Sequence, residues 1–81
     1  MNFERYYSKT FKVGEDEYEC FYATKEKNFF QENEVWFQLR PKVFGKGKRM
    51  NFVVDTYKLS KLNDKLEKGE DCKELGEVNL Y

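Results

Sequence analysis

The chain has 81 residues, of which 40% are hydrophobic, 37% charged and 19% aromatic; this length holds one hydrophobic core and excludes a large multidomain enzyme. Lys+Arg and Asp+Glu number 15 each and histidine is absent, so the formal charge is zero and histidine-based triads, proton shuttles and zinc sites are excluded. A single domain over residues 1–81 is expected. With no secretory leader and no apolar run near the ~20 residues of a membrane span, it is expected to be cytoplasmic, away from membranes. Cys20 and Cys72 are then read as reduced thiols, with no metal or cofactor.

The first element in chain order is a strand over about residues 3–13, rich in aromatic residues and closed by Gly14 and the polar run Glu15, Asp16, Glu17. A second strand, about 18–24, places Tyr18, Cys20 and Tyr22 on one face and Glu19, Phe21 and Ala23 on the other. The polar stretch that follows is interrupted by Phe29 and Phe30, which either pack down on the core or belong to a binding surface.

A third strand, about 35–40, alternates cleanly, with Val35, Phe37 and Leu39 facing the core and Trp36, Gln38 and Arg40 opposite, until Pro41 ends or bends it. The fourth, about 48–54, turns Met50, Phe52 and Val54 inward and Asn51 and Val53 outward. At Asp55, a suitable N-cap, the period changes to that of a helix over about 56–68, with Leu59, Leu62 and Leu66 on one stripe and Gly69 as the C-terminal stop. The stripe reads as core, with a dimer seam as the other reading. The tail, 70–81, suggests a short helical turn through Cys72 and Leu75 followed by an extended end. Together these parts predict an α+β fold, an antiparallel sheet of about four strands followed by one amphipathic helix packed on one face.

The zero net charge is a sum of opposed blocks. Residues 14–34 hold seven acidic and two basic residues, whereas residues 35–62 hold seven basic and one acidic. Between strands three and four, Arg40, Lys42, Lys46, Lys48 and Arg49 surround Phe44, Gly45 and Gly47 with no anion among them. Such a loop can follow a phosphate backbone, glycine allowing close approach and the aromatic stacking on a base. It can equally be a solvated hairpin whose lysines discourage edge-to-edge pairing. Trp36 shares the non-core face with Arg40, either as a stacking platform or packed beneath the Phe29-Phe30 loop. The cluster Glu15, Asp16, Glu17 and Glu19 is a solvated turn or an imitation of nucleic-acid phosphates. No nucleophile elbow, phosphate-binding GxxxxGK[ST] loop, dinucleotide fingerprint or EF-hand loop is present, so a non-enzymatic function is expected.

The order of parts, with Val35-Trp36-Phe37-Gln38-Leu39-Arg40, Gly45-Lys46-Gly47-Lys48-Arg49 and Asn51-Phe52-Val53-Val54 leading to Leu59, Leu62 and Leu66, resembles the positive-cofactor-four (p15-type) transcription coactivator family. The similarity is one of pattern over about residues 35–68; the acidic 14–34 stretch and the tail beyond Gly69 differ from the family's outline. It implies a curved four-stranded sheet, single-stranded DNA bound on the sheet and a homodimer formed through the helix. Trp36 would stack on bases, Arg40, Lys46, Lys48 and Arg49 would hold phosphates, and the leucines would lie at or near the seam.

The leading expectation is a non-enzymatic single-stranded nucleic-acid-binding protein acting through Trp36, Arg40, Lys42, Phe44, Lys46, Lys48 and Arg49. The competing one is a small protein-binding module or inhibitor, directed at a nucleic-acid-handling protein through Glu15, Asp16, Glu17, Glu19, Phe29 and Phe30. Residue usage heavy in Lys, Glu, Asn, Phe and Tyr is common in small accessory proteins of low-GC bacteria and their phages.

Overall fold

A computed structural model describes residues 4–25 and 33–78. The chain forms an antiparallel meander, β1 (Thr10–Val13), β2 (Asp16–Thr24), β3 (Glu34–Pro41) and β4 (Met50–Asp55), with the strands neighbouring one another in sequence order. A 3-10 turn, Thr56–Lys58, leads directly into the helix α1 (Leu59–Lys68). The arrangement is α+β.

Local chemistry accounts for the element ends. Asp55 accepts a hydrogen bond from the Tyr57 N–H at 2.8 Å, capping the turn that starts the helix. At the other end Gly69 is left-handed (φ 69°); its N–H donates to the Leu66 carbonyl and that of Glu70 to the Lys65 carbonyl, the paired bonds of a Schellman stop.

The first strand is shorter than the 3–13 expected. Residues Glu4–Tyr6 form a 3-10 turn instead, and Ser8, at φ 64°, turns the chain so that its N–H donates to the Cys20 carbonyl before β1 begins. The second strand also departs from strict alternation. Cys20 faces Leu39 and Tyr22 faces Gln38 in the β2–β3 register, so Phe21 is an extra residue in a bulge. That single insertion flips the parity beyond it. Ala23 packs on the core, while Tyr22, expected on the same face as Cys20, is exposed.

The sheet is curled. Adjacent strands lie ~4.8 Å apart, so β1 and β4 of a flat sheet would be separated by roughly 14 Å. Yet Phe11 of β1 and Phe52 of β4 meet across the concave side with ring centroids 5.6 Å apart, and Phe37 of β3 lies 5.4 Å from Phe11. Tyr6 closes this group edge-on against Phe37 at 5.1 Å. Leu59 and Leu62 are buried in the same cluster and Leu66 is half-buried against it. The stripe is therefore spent on the chain's own core, each buried leucine contributing roughly 1.5–3 kcal/mol relative to exposure.

The tail beyond Gly69 unites the two sheet edges. Asp71 bridges Lys12 in parallel, and the Cys72 N–H donates to the Lys12 carbonyl at 2.7 Å. After a 3-10 turn at Lys73–Leu75, Val78 exchanges both backbone hydrogen bonds with Asn51 of β4. The same short segment thus satisfies exposed backbone groups of β1 and of β4. Beside it, β4 is buried on both faces, including the Asn51 and Val53 expected to point outward. Lys65 ties the tail to the helix, 2.8 Å from Glu74 and 3.9 Å from Glu70.

Gly76 approaches β4 so closely that a Cβ there would lie 1.7 Å from the Val53 carbonyl oxygen. Gly76→Ala is therefore expected to cost about 1–3 kcal/mol and to speed hydrogen exchange at Asn51 and Val78, measured by denaturant unfolding and amide exchange. At the opposite edge the Asp71 carboxylate accepts hydrogen bonds from the Lys73 and Gly14 N–H groups, both at 2.9 Å. These bonds, the Lys73 one foremost, hold its pKa below the ordinary 3.8. A depressed folded pKa contributes stability that is present above the unfolded value and lost as pH falls through the folded one. Acidification below about pH 4 is thus expected to release the tail from β1, seen as faster exchange at Gly14 and Lys73, and Asp71→Ala removes that pH dependence.

Candidate nucleic-acid interface

In a four-stranded meander the first and third connections fall at the same end of the sheet. Here these are the acidic turn around Gly14 and Glu15 and the basic loop from Lys42 to Arg49. The register carries opposite charges past one another: Glu19 faces Arg40, with 3.6 Å between carboxylate and guanidinium. Lys42 continues the pairing, its N–H donating to the Glu17 carbonyl at 3.1 Å. Its ammonium donates to Thr10 Oγ1 at 3.1 Å and lies 4.0 Å from the Glu17 carboxylate. Both ion pairs are exposed and worth ~0–1 kcal/mol each, yet they occupy two of the cations the loop would offer a phosphate.

Lys46, Lys48 and Arg49 make no ion pair with the described residues. Lys46 and Lys48 extend into solvent, while Arg49 lies over the ring of Phe21 at 5.2 Å and Arg40 approaches the same ring at 5.8 Å. Phe44, at the tip between Val43 and the left-handed Gly45 (φ 85°), is fully exposed. An aromatic ring left in water forgoes the ~2 kcal/mol that burial would return, and in this loop it stands among cations.

Trp36 lies farther along the same outward face than the sequence pattern implied. It pairs with Thr24 and Val53, four residues or roughly 13 Å of strand from Arg40. Its ring is half-buried and its indole N–H donates to the side-chain oxygen of Asn51, itself 1% exposed. The outward face therefore runs from Trp36 past the exposed Tyr22 to Phe21 and the two arginines. The aromatic beside the cations is Phe21, which the sequence pattern placed on the face of Glu19 and Ala23 without marking it as part of the interface. Its alternation with Cys20 was the available signal, but the bulge that frames it was not visible.

Glu15 and Asp16 make no ion pair with the described residues, unlike Glu17 and Glu19. The expectation for Phe29 and Phe30 falls outside the described residues. No helix among those residues is long and apolar enough to cross a membrane.

Cys20 and Cys72 are free and fully buried, away from this surface. Burial pushes both thiols up to about 11, so little thiolate forms near neutrality. Native protein at pH 8 should therefore react with a disulfide reagent at least about tenfold more slowly than free cysteine, recovering full reactivity on denaturation, as followed by thiol absorbance. No family model matches the chain, and the curated proteins and solved structures compared with it yield no match either.

Proposed function

We propose that this protein binds single-stranded nucleic acid, without catalysis, along the outward face of β2 and β3 and the adjoining basic loop. The observation that carries the reading is Phe44, fully exposed at the tip of a loop whose Lys46, Lys48 and Arg49 have no carboxylate partner among the described residues. An exposed ring can stack only on a base whose face is open, which favours single strands over duplex, and the lysines flanking it suit a phosphate on either side. Arg40 and Arg49 around Phe21, with Tyr22 and Trp36 beyond, would continue the track along the sheet. The pattern-level resemblance to the p15-type coactivators points the same way, and a homodimer would double the length of strand held.

A second reading, a nucleic-acid-handling protein captured through the acidic segment, keeps Glu15 and Asp16 as its unpaired carboxylates. Under it, reversing those charges weakens capture and changing the basic loop does not.

Titration of a fluorescent single-stranded oligonucleotide at several salt concentrations separates the two. Replacing Lys46, Lys48 and Arg49 together by alanine is expected to lower the slope of log affinity against log salt by about 2. Phe44→Ala should cost about 1–3 kcal/mol of binding while leaving that slope unchanged. Unaltered affinity and slope in the triple variant would sink the nucleic-acid reading.

A further inference from the structure

The outward face assigned to nucleic acid is not purely cationic. β2 runs between β1 and β3, and Glu17 and Glu19 alternate with the buried Tyr18 and Cys20, so both carboxylates stand on that face. The register sets Glu19 against Arg40, with 3.6 Å between carboxylate and guanidinium, and the Glu17 carboxylate lies 4.0 Å from the Lys42 ammonium. Within each strand the two charges are two residues apart, roughly 7 Å, so a row of anions runs alongside a row of cations. The acidic turn also meets the loop beyond the strands, where Glu15, Asp16 and Glu17 line one pocket with Val43 and Lys46. All four paired side chains are partly open to water. An exposed ion pair contributes only ~0–1 kcal/mol, so a ligand that brings several phosphates at once can take the place of both carboxylates.

We infer that Glu17 and Glu19 are built-in competitors for the phosphates of a bound strand, holding Lys42 and Arg40 in the free protein and yielding them when consecutive phosphates arrive. This rests on the nucleic-acid reading and adds the control of that same site. Binding then exchanges one set of anions for another at two of the cations, and the displaced carboxylates stay close enough to repel the strand. Affinity is held below what the number of cations implies, and so is its dependence on salt, because part of the counterion release is offset at Glu17 and Glu19. The imitation of phosphates that the acidic run offers is thereby directed at the chain's own basic loop.

The oligonucleotide titration, applied to charge-neutral variants of the intact protein, tests this. Glu17→Gln with Glu19→Gln is expected to tighten binding about three- to tenfold near physiological salt. It should also steepen the slope of log affinity against log salt by about 1.4, two more cations reaching phosphates without a competitor. Asp64→Asn with Glu67→Gln makes the same change of net charge at exposed positions of α1, which covers the opposite side of the sheet. Screening over ~8 Å should keep its effect below about twofold. Arg40→Ala with Lys42→Ala supplies a readout that net charge does not move: its cost should be at least about threefold greater in the neutralised background than in the native chain, whereas an undirected field gives equal costs. Equal affinity and slope in the native and neutralised chains, equal costs of the Arg40 and Lys42 changes, or a helix control that tightens binding as much overturns the inference while the nucleic-acid reading stands. Oligonucleotide binding by neither chain overturns both, and binding by the neutralised chain alone supports both.

Discussion

The contact between Phe11 and Phe52 sets the shape of the whole molecule. These residues belong to the first and last strands of a four-stranded sheet, and their rings can touch only if the sheet bends until its edges turn toward each other. That bend gives the concave side enough depth to take Tyr6, Phe37, Leu59 and Leu62 into one cluster. It also brings the edges close enough for one segment, Asp71 to Val78, to bond to both. Without that segment β1 and β4 would each present a row of unpaired backbone groups, the usual template for association between copies. A small core and a closed seam support one another here: the curl makes the tail's crossing short, and the crossing holds the curl.

The same topology explains the placement of charge. A meander returns its first and third connections to one end, so an acidic first turn and a basic third loop become neighbours although they are about thirty positions apart in the chain. Their charges partly cancel at Glu19 and Arg40 and at Glu17 and Lys42, where the strands pass directly alongside. What is left carries both signs: Lys46, Lys48 and Arg49 in the basic loop and Glu15 and Asp16 in the acidic turn, with Lys46 and Val43 lining one pocket beside Glu15, Asp16 and Glu17. A formally neutral protein thereby presents exposed charge of both signs at one end, with Phe44 and Phe21 beside the cations and Val13 and Met50 beside the acidic turn. Mean composition hides this because it averages over surfaces that a ligand meets one at a time.

Much of the fold is legible from local rules. Val35, Phe37 and Leu39 alternate because β3 has one wet and one dry face, and Leu59, Leu62 and Leu66 recur because α1 buries one stripe. Asp55 and Gly69 mark the helix through hydrogen bonds made within two to five residues. The candidate interface was less legible. The basic run and Phe44 stand out in the chain, but the pairing of Arg40 and Lys42 with β2, the hydrogen bond of Trp36 to Asn51 and the company of Phe21 all depend on inter-strand register. Register in turn depends on the bulge at Phe21, one unpaired residue whose cost and benefit are set by the neighbouring strand.

The amino-acid order alone determined the number and kind of elements, the inward set of apolar residues on β3 and β4, the start and stop of the helix and the charge of each connection. Those properties follow from periodicity and from bonds between near neighbours, which a reader of the chain can count. The curl of the sheet, the double burial of β4, the crossing of the tail beside Val53 and the ion pairs of Glu17 and Glu19 were decided only in three dimensions. Each depends on which distant segments share space, and that is settled by filling one small core and pairing every buried backbone group at the same time.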